Sequence, residues 1–102
     1  MRYSRSWREP RKLTAETLIK REIKRYLGLK GFFIRHIIQG MASYPGIPDL
    51  LATKNGVTIE IEAKAPKGVQ SPKQKDYQQM LELHGGRYLL IRSVEDLIEA
   101  GL

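Results

Sequence analysis

The chain has no cysteine among its 102 residues. That excludes disulfides, thiolate metal sites, zinc fingers and a cysteine nucleophile. Long apolar runs are missing as well: no stretch approaches the ~20 residues that span a bilayer. The N-terminal MRYSRSWREPRK is basic with no apolar core after it, which is unlike a secretory signal. The expectation is a cytoplasmic protein with no membrane partner. Aromatic residues are scarce, at 8%, but hydrophobic residues reach 41%, which fits a globular chain and not a disordered one. No Ser/His/Asp triad is evident. No Gly-rich loop leads into Lys-Ser or Lys-Thr, so nothing suggests a small-molecule cofactor. The length allows one domain, large enough to bury about two-thirds of its unfolded surface.

What is abundant is positive charge, and it is unevenly placed. The net charge is +7. Residues 1–30 hold ten Lys/Arg and three acids, whereas bases and acids balance over 31–102. A polyanion, most commonly nucleic acid, is the natural partner for such a chain. Residues 1–12 have no period and carry Arg2, Arg5, Arg8, Arg11 and Lys12, so they read as a flexible basic arm. Tyr3 and Trp7 within it either stack on bases or pack on the domain. The domain proper then spans 13–102.

Periodicity and turn chemistry give the elements. Thr14 caps a helix running to about Leu27 or Lys30, with Ile19, Ile23, Tyr26 and Leu27 on one face and Gly28 and Gly31 as stops. Phe32–Ile38 reads as a strand, and 40–48 (GMASYPGIP) as a loop. Leu50–Lys54 and Val57–Lys64 are strands joined by Asn55-Gly56, the strongest short hairpin signal. Ser71-Pro72 opens a helix that ends near His84. Tyr88–Ile91 is a short strand. Ser93 caps a final helix, with Asp96 three residues on as a variant capping box and Gly101 closing it. The order is α-β-β-β-α-β-α, a mixed α/β domain.

The hairpin carries the chemistry. With a two-residue loop at 55–56, Asp49 faces Glu62 across the strands, and opposed Cβ atoms lie about 5 Å apart. Side chains alternate, so Lys64 shares the face of Glu62 while Ile59, Ile61 and Ala63 point away. Two carboxylates this close either share a proton or hold a cation. Oxygen ligands suit a hard ion such as Mg²⁺ or Mn²⁺.

At these residues the chain resembles a known family. Gly46-Ile47-Pro48-Asp49 followed by Glu62-Ala63-Lys64 is similar to the PD-(D/E)xK nuclease motif. Ser71-Pro72-Lys73-Gln74, with Tyr77 one turn later, resembles the further motif of the virus-type replication-repair nuclease (VRR-NUC) branch. The resemblance runs from about Thr14 to Val94. The element order is also similar to that of archaeal-type Holliday-junction resolvases.

The resemblance implies a restriction-endonuclease-like fold that hydrolyses DNA phosphodiesters with Mg²⁺ or Mn²⁺. It places Asp49, Glu62 and the backbone carbonyl of Ala63 on the metal. Lys64 would orient or activate the attacking water or stabilise the developing charge. Gln74 either sits behind Lys64 and fixes it or is a plain first-turn residue. The family also supplies an acid from the first helix. Glu16 falls inside the apolar face and Glu22 on its edge, which puts Glu16 first and leaves Glu22 as the alternative. Arg35, Lys67 and Lys73 are candidate phosphate contacts, as is the arm. Small stand-alone relatives resemble homodimeric junction resolvases, which implies branched DNA, a symmetric dimer and a phage or bacterial setting. Phe32, Phe33, Met41, Tyr44 and the last helix are unranked candidates for the dimer surface. Glu60 reads as a supporting or solvated acid, His36 as a structural histidine in a strand, and His84 as a helix-end residue.

Overall fold

The computed structural model describes residues 13–38, 40 and 43–102. The basic arm and Met41 lie outside the described residues. Three helices and four strands follow in the order α1 (Ala15–Leu29), β1 (Phe33–His36), β2 (Leu50–Lys54), β3 (Val57–Ala63), α2 (Pro72–Leu83), β4 (Arg87–Ile91) and α3 (Val94–Glu99). The single sheet has the order β1-β2-β3-β4. The first three strands form an antiparallel meander, and β4 returns parallel to β3 after the α2 crossover.

The hairpin takes its expected register. Lys54 pairs with Val57 and Leu50 with Ile61. Asn55 and Gly56 both adopt positive φ, 52° and 78°, as a two-residue turn of this hand requires. The meander fixes which side chains meet. Leu50, Ala52, Ile59, Ile61, Ala63 and Ile91 form a buried layer with Ile19, Ile23 and Leu27 of α1 and Leu97 of α3. Fully burying a Leu or Ile contributes about 1.5–3 kcal/mol, and six such side chains here are essentially inaccessible.

The opposite face is different. No residue of α2 is buried. The helix meets the sheet through polar groups instead. Tyr77 Oη donates to Glu60 Oε1, and Gln70 Nε2 donates to Gln78 Oε1 and to Tyr88 Oη. Burial, and then the bond to Glu60, drive the Tyr77 hydroxyl well above its ordinary pKa. Burial pushes Tyr88 up to about 12. Both therefore remain protonated at any physiological pH.

All three helices stop by the same device. The residue after each cap is a glycine at positive φ (Gly31, Gly85, Gly101), and the next N–H reaches back to Leu27, Leu81 and Leu97 respectively. Gly28 is therefore not a stop: it lies inside α1, and Gly31 ends the helix. The start of α3 also differs from expectation. Ser93 makes no side-chain cap bond, and Asp96 Oδ2 instead accepts the N–H of Arg92. The extended backbone of Ser93 turns that amide toward the aspartate, so the cap is made one residue earlier.

Candidate active site

Asp49 stands at the entrance to β2, held by its own backbone. Its N–H donates to Ile61 O at 3.1 Å, and its carbonyl accepts from Ile37 N–H at 2.8 Å. Its carboxylate oxygen Oδ2 accepts the Ala63 N–H at 2.9 Å. The carboxylate is thereby fixed close enough to Glu62 to act on it directly, one residue before the paired register begins at Leu50 and Ile61. The Gly46 turn before it is pinned onto α2. A Cβ at position 46 would fall 2.1 Å from Lys73 O, and φ there is +81°. Only glycine permits this approach of loop to helix.

Among the described residues Glu62 is the buried acidic side chain, 3% exposed. Its Oε2 faces Lys64 Nζ at 3.6 Å and accepts from Gln74 Nε2 at 3.3 Å. Its Oε1 is buried with no hydrogen-bond partner. Burial and the adjacent Asp49 carboxylate raise the Glu62 pKa to about 8, and Lys64 offsets part of that rise. An orphaned buried carboxylate oxygen costs free energy unless a cation meets it or a proton shared with Asp49 neutralises the pair, as the raised pKa implies without metal. The donor set of Asp49 and Glu62, both oxygen and both held by neighbouring bonds, fits a hard divalent ion.

Gln74 holds two posts at once. Its Oε1 accepts the Ser71 N–H while Ser71 Oγ accepts the Gln74 N–H, which closes the capping box of α2. Its amide nitrogen is then left to reach Glu62. The glutamine thus bears on the carboxylate and not on Lys64, the position the sequence had suggested.

The two first-helix acids part company. Glu16 is half-buried, and its carboxylate contributes to the field that raises Glu62. Glu22 is exposed and lines a cleft with Arg25, Tyr26, Leu29, Val94 and Glu95. Glu16 nevertheless stands off from the pair. Among the described residues no three His, Asp or Glu side chains gather closely enough to hold a metal as they stand.

Of the expected phosphate contacts, Lys67 and Lys73 are exposed near the site, Lys67 in the turn after β3 and Lys73 in the first turn of α2. Arg35 turns away to donate to Thr53 Oγ1 at 2.8 Å and to stack over Phe33 at 4.7 Å. Arg2, Arg5, Arg8, Arg11 and Lys12 lie outside the described residues. Glu60 supports the α2 contact by accepting from Tyr77. His84 bonds its own helix end, with Nδ1 2.8 Å from Met80 O. Sequence reasoning missed a partner for His36, whose Nε2 lies 2.8 Å from Lys24 Nζ. The available signal was the i, i+4 pair of lysines on α1, whose orientation toward β1 no local pattern reveals.

Neither the scan against protein-family models nor the search of curated proteins gives a match. Comparison with solved structures gives a clear likeness to one described as a VRR_NUC domain. The TM-score is 0.75 at 25% identity, covering 85% of this chain and 97% of that one. The four-stranded mixed sheet, its flanking helices and the element order are those of a restriction-endonuclease-like fold. Motif spacing, fold and structural likeness agree: over 85% of its length the chain is similar in fold to a VRR_NUC domain.

Proposed function

We propose that this chain is a Mg²⁺- or Mn²⁺-dependent DNA endonuclease acting on branched DNA as a homodimer. The observation that carries the reading is the orphaned Oε1 of Glu62, buried beside Asp49 and Lys64. Asp49, Glu62 and the Ala63 carbonyl would hold the metal, with Glu16 completing the set from α1. When bound, the ion supplies an acidified water and offsets charge on the phosphate oxygens.

The remaining work falls to the chain's own groups. Lys64 places a fixed positive charge where negative charge develops on the attacked phosphate. Glu62 holds that ammonium at 3.6 Å, so the two are oriented together. Gln74 holds the Glu62 carboxyl from the other side and draws its own rigidity from the α2 cap. Lys67, Lys73 and the arm lend electrostatic affinity for DNA. For the dimer, Phe33, Tyr44 and Ile98 of the last helix expose 62%, 60% and 53% of their surface, whereas Phe32 packs against the core. Branched DNA rests on the resemblance to homodimeric junction resolvases, in which two such sites related by a twofold axis cut two strands.

The test is incubation of the protein with a four-way junction, a flap and a linear duplex, in Mg²⁺, Mn²⁺ or EDTA, alongside Asp49→Ala and Glu16→Ala. Metal-dependent cutting of the junction, abolished in Asp49→Ala, is the expected result. Binding without cutting in any metal would leave only a DNA-binding module on this scaffold.

A further inference from the structure

One ridge of α1 carries Glu16, Lys20 and Lys24 at i, i+4 spacing. Its first member stands near the acidic pair, since the Glu16 carboxylate acts on Glu62. A helix rises about 1.5 Å per residue, so Lys20 lies about 6 Å and Lys24 about 12 Å farther along. Facing Lys24 is His36 at the end of β1, with Nε2 2.8 Å from the ammonium. The next residue, Ile37, donates its N–H to the Asp49 carbonyl. The lysine–histidine pair therefore lies near Asp49 through β1, where the Asp49 carboxylate acts on His36, and about 12 Å from Glu16 along α1.

The pairing of Lys20 with Lys24 works against the stability of the helix. Like charges at i, i+4 on a helix repel. Among the described residues neither Lys20 nor Lys24 forms an ion pair; the ion pair found there is Lys64 with Glu62. His36 is kept in its neutral, accepting form by burial and by both lysines, with Asp49 acting weakly in the other sense. Two ammonium groups thus stand without a counter-anion, and one of them is aimed by a histidine.

We propose that Lys24 and Lys20 form a seat for the DNA backbone phosphate adjacent to the one that is cut, with His36 as the residue that positions Lys24; this rests on the nuclease reading above. His36 Nε2 accepts one ammonium hydrogen of Lys24. The two that remain are free to donate to phosphate oxygens, and Lys20 adds its charge one helical turn nearer the metal carboxylates. A phosphodiester satisfies both lysines with one anion.

The test is DNA affinity over a salt series in EDTA, where nothing is cut, for wild type, Lys24→Met, His36→Ala, Lys30→Met and Asp49→Ala. Removing one phosphate-binding charge lowers the salt slope by about 0.9, which is the result expected for Lys24→Met. His36→Ala should give a smaller fall in the same direction. Lys30 caps the far end of α1. Lys30→Met removes the same charge and should keep the wild-type slope. In Mg²⁺, Lys24→Met should raise KM about fivefold with kcat within about twofold, as a phosphate contact made equally in ground and transition states requires. An unchanged slope in Lys24→Met, or an equal fall in Lys30→Met, would overturn the seat. Asp49→Ala should keep the full slope while losing cleavage. If wild type itself cuts nothing, the nuclease reading fails alone, and the slopes still decide on the seat.

Discussion

Gln74 donates to Glu62 Oε2 at 3.3 Å while its amide oxygen closes the N-terminal cap of its own helix. One side chain therefore ties α2, which has no buried residue, to the buried carboxylate. Making both bonds at once needs an amide, oxygen toward Ser71 and nitrogen toward Glu62. Gln74→Ala should lose about 0.3–1.5 kcal/mol of stability, because the half of the capping box that Gln74 supplies is removed while Ser71 keeps its own bond. Gln74→Glu keeps the capping box, because glutamate serves equally there. It also sets a third carboxylate against Glu62. Thermal melts and metal titration separate the two roles: Gln74→Glu should melt near wild type yet bind divalent ions with an altered affinity, while Gln74→Ala should lose stability first.

Glu62 makes stability fall with rising pH. Its folded pKa is about 8, against an ordinary 4.5. Between these values the folded chain holds a proton that the unfolded chain has released. Unfolding then releases a proton, and stability declines across the window as pH rises, levelling above pH 8. Glu62→Gln, which carries no charge, should flatten the dependence and exceed wild type in stability at high pH. Denaturant melts in EDTA across the window measure it. Metal binding has the opposite slope, because the cation displaces that proton. A wild-type stability that rises with pH through this range would mean that Glu62 is ionised in the metal-free protein.

The loop before Asp49 depends on one missing side chain. Gly46→Ala would put a Cβ 2.1 Å from Lys73 O at a φ of +81°. Left-handed strain and the backbone clash together should cost about 2–4 kcal/mol. The melting temperature should drop, and activity should drop further than stability alone explains, since the displaced loop carries Asp49.

Much of this arrangement was legible in the sequence because it is local. Asn55-Gly56 sets the hairpin register, which sends Ile59 and Ile61 to the core and brings the chain at Asp49 alongside Ile61–Ala63, where its own bonds seat it near Glu62. Thr14, Ser71 and the glycines after the helices mark ends by short-range hydrogen bonds. What was not legible depends on how helices sit across the sheet. Gln74 meets Glu62 and not Lys64 because the cap already claims its oxygen. Lys24 meets His36 only once α1 packs against the edge strand. Arg35 shares the sheet face of Glu60 and Glu62, but its side chain reaches along the sheet to Thr53, a direction that strand parity does not reveal. Asp96 missed its expected partner because Ser93 is extended and offers the neighbouring amide instead.

The basic arm has its own test. Deleting residues 1–12 removes Arg2, Arg5, Arg8, Arg11 and Lys12 together with Glu9. If these bases lie on DNA phosphates, the salt slope of binding should fall by up to about 0.9 for each phosphate they neutralise. An unchanged slope would assign the affinity to the folded domain alone.

Everything turns on whether Asp49 and Glu62 hold one divalent ion between them. Titration of the folded protein with Mn²⁺, followed by the loss of the free-ion paramagnetic signal, asks this without any substrate. Wild type should take up one ion, and Asp49→Ala and Glu62→Gln should each lose that binding while Lys24→Met retains it. Uptake by either carboxylate variant equal to that of wild type would contradict the shared site.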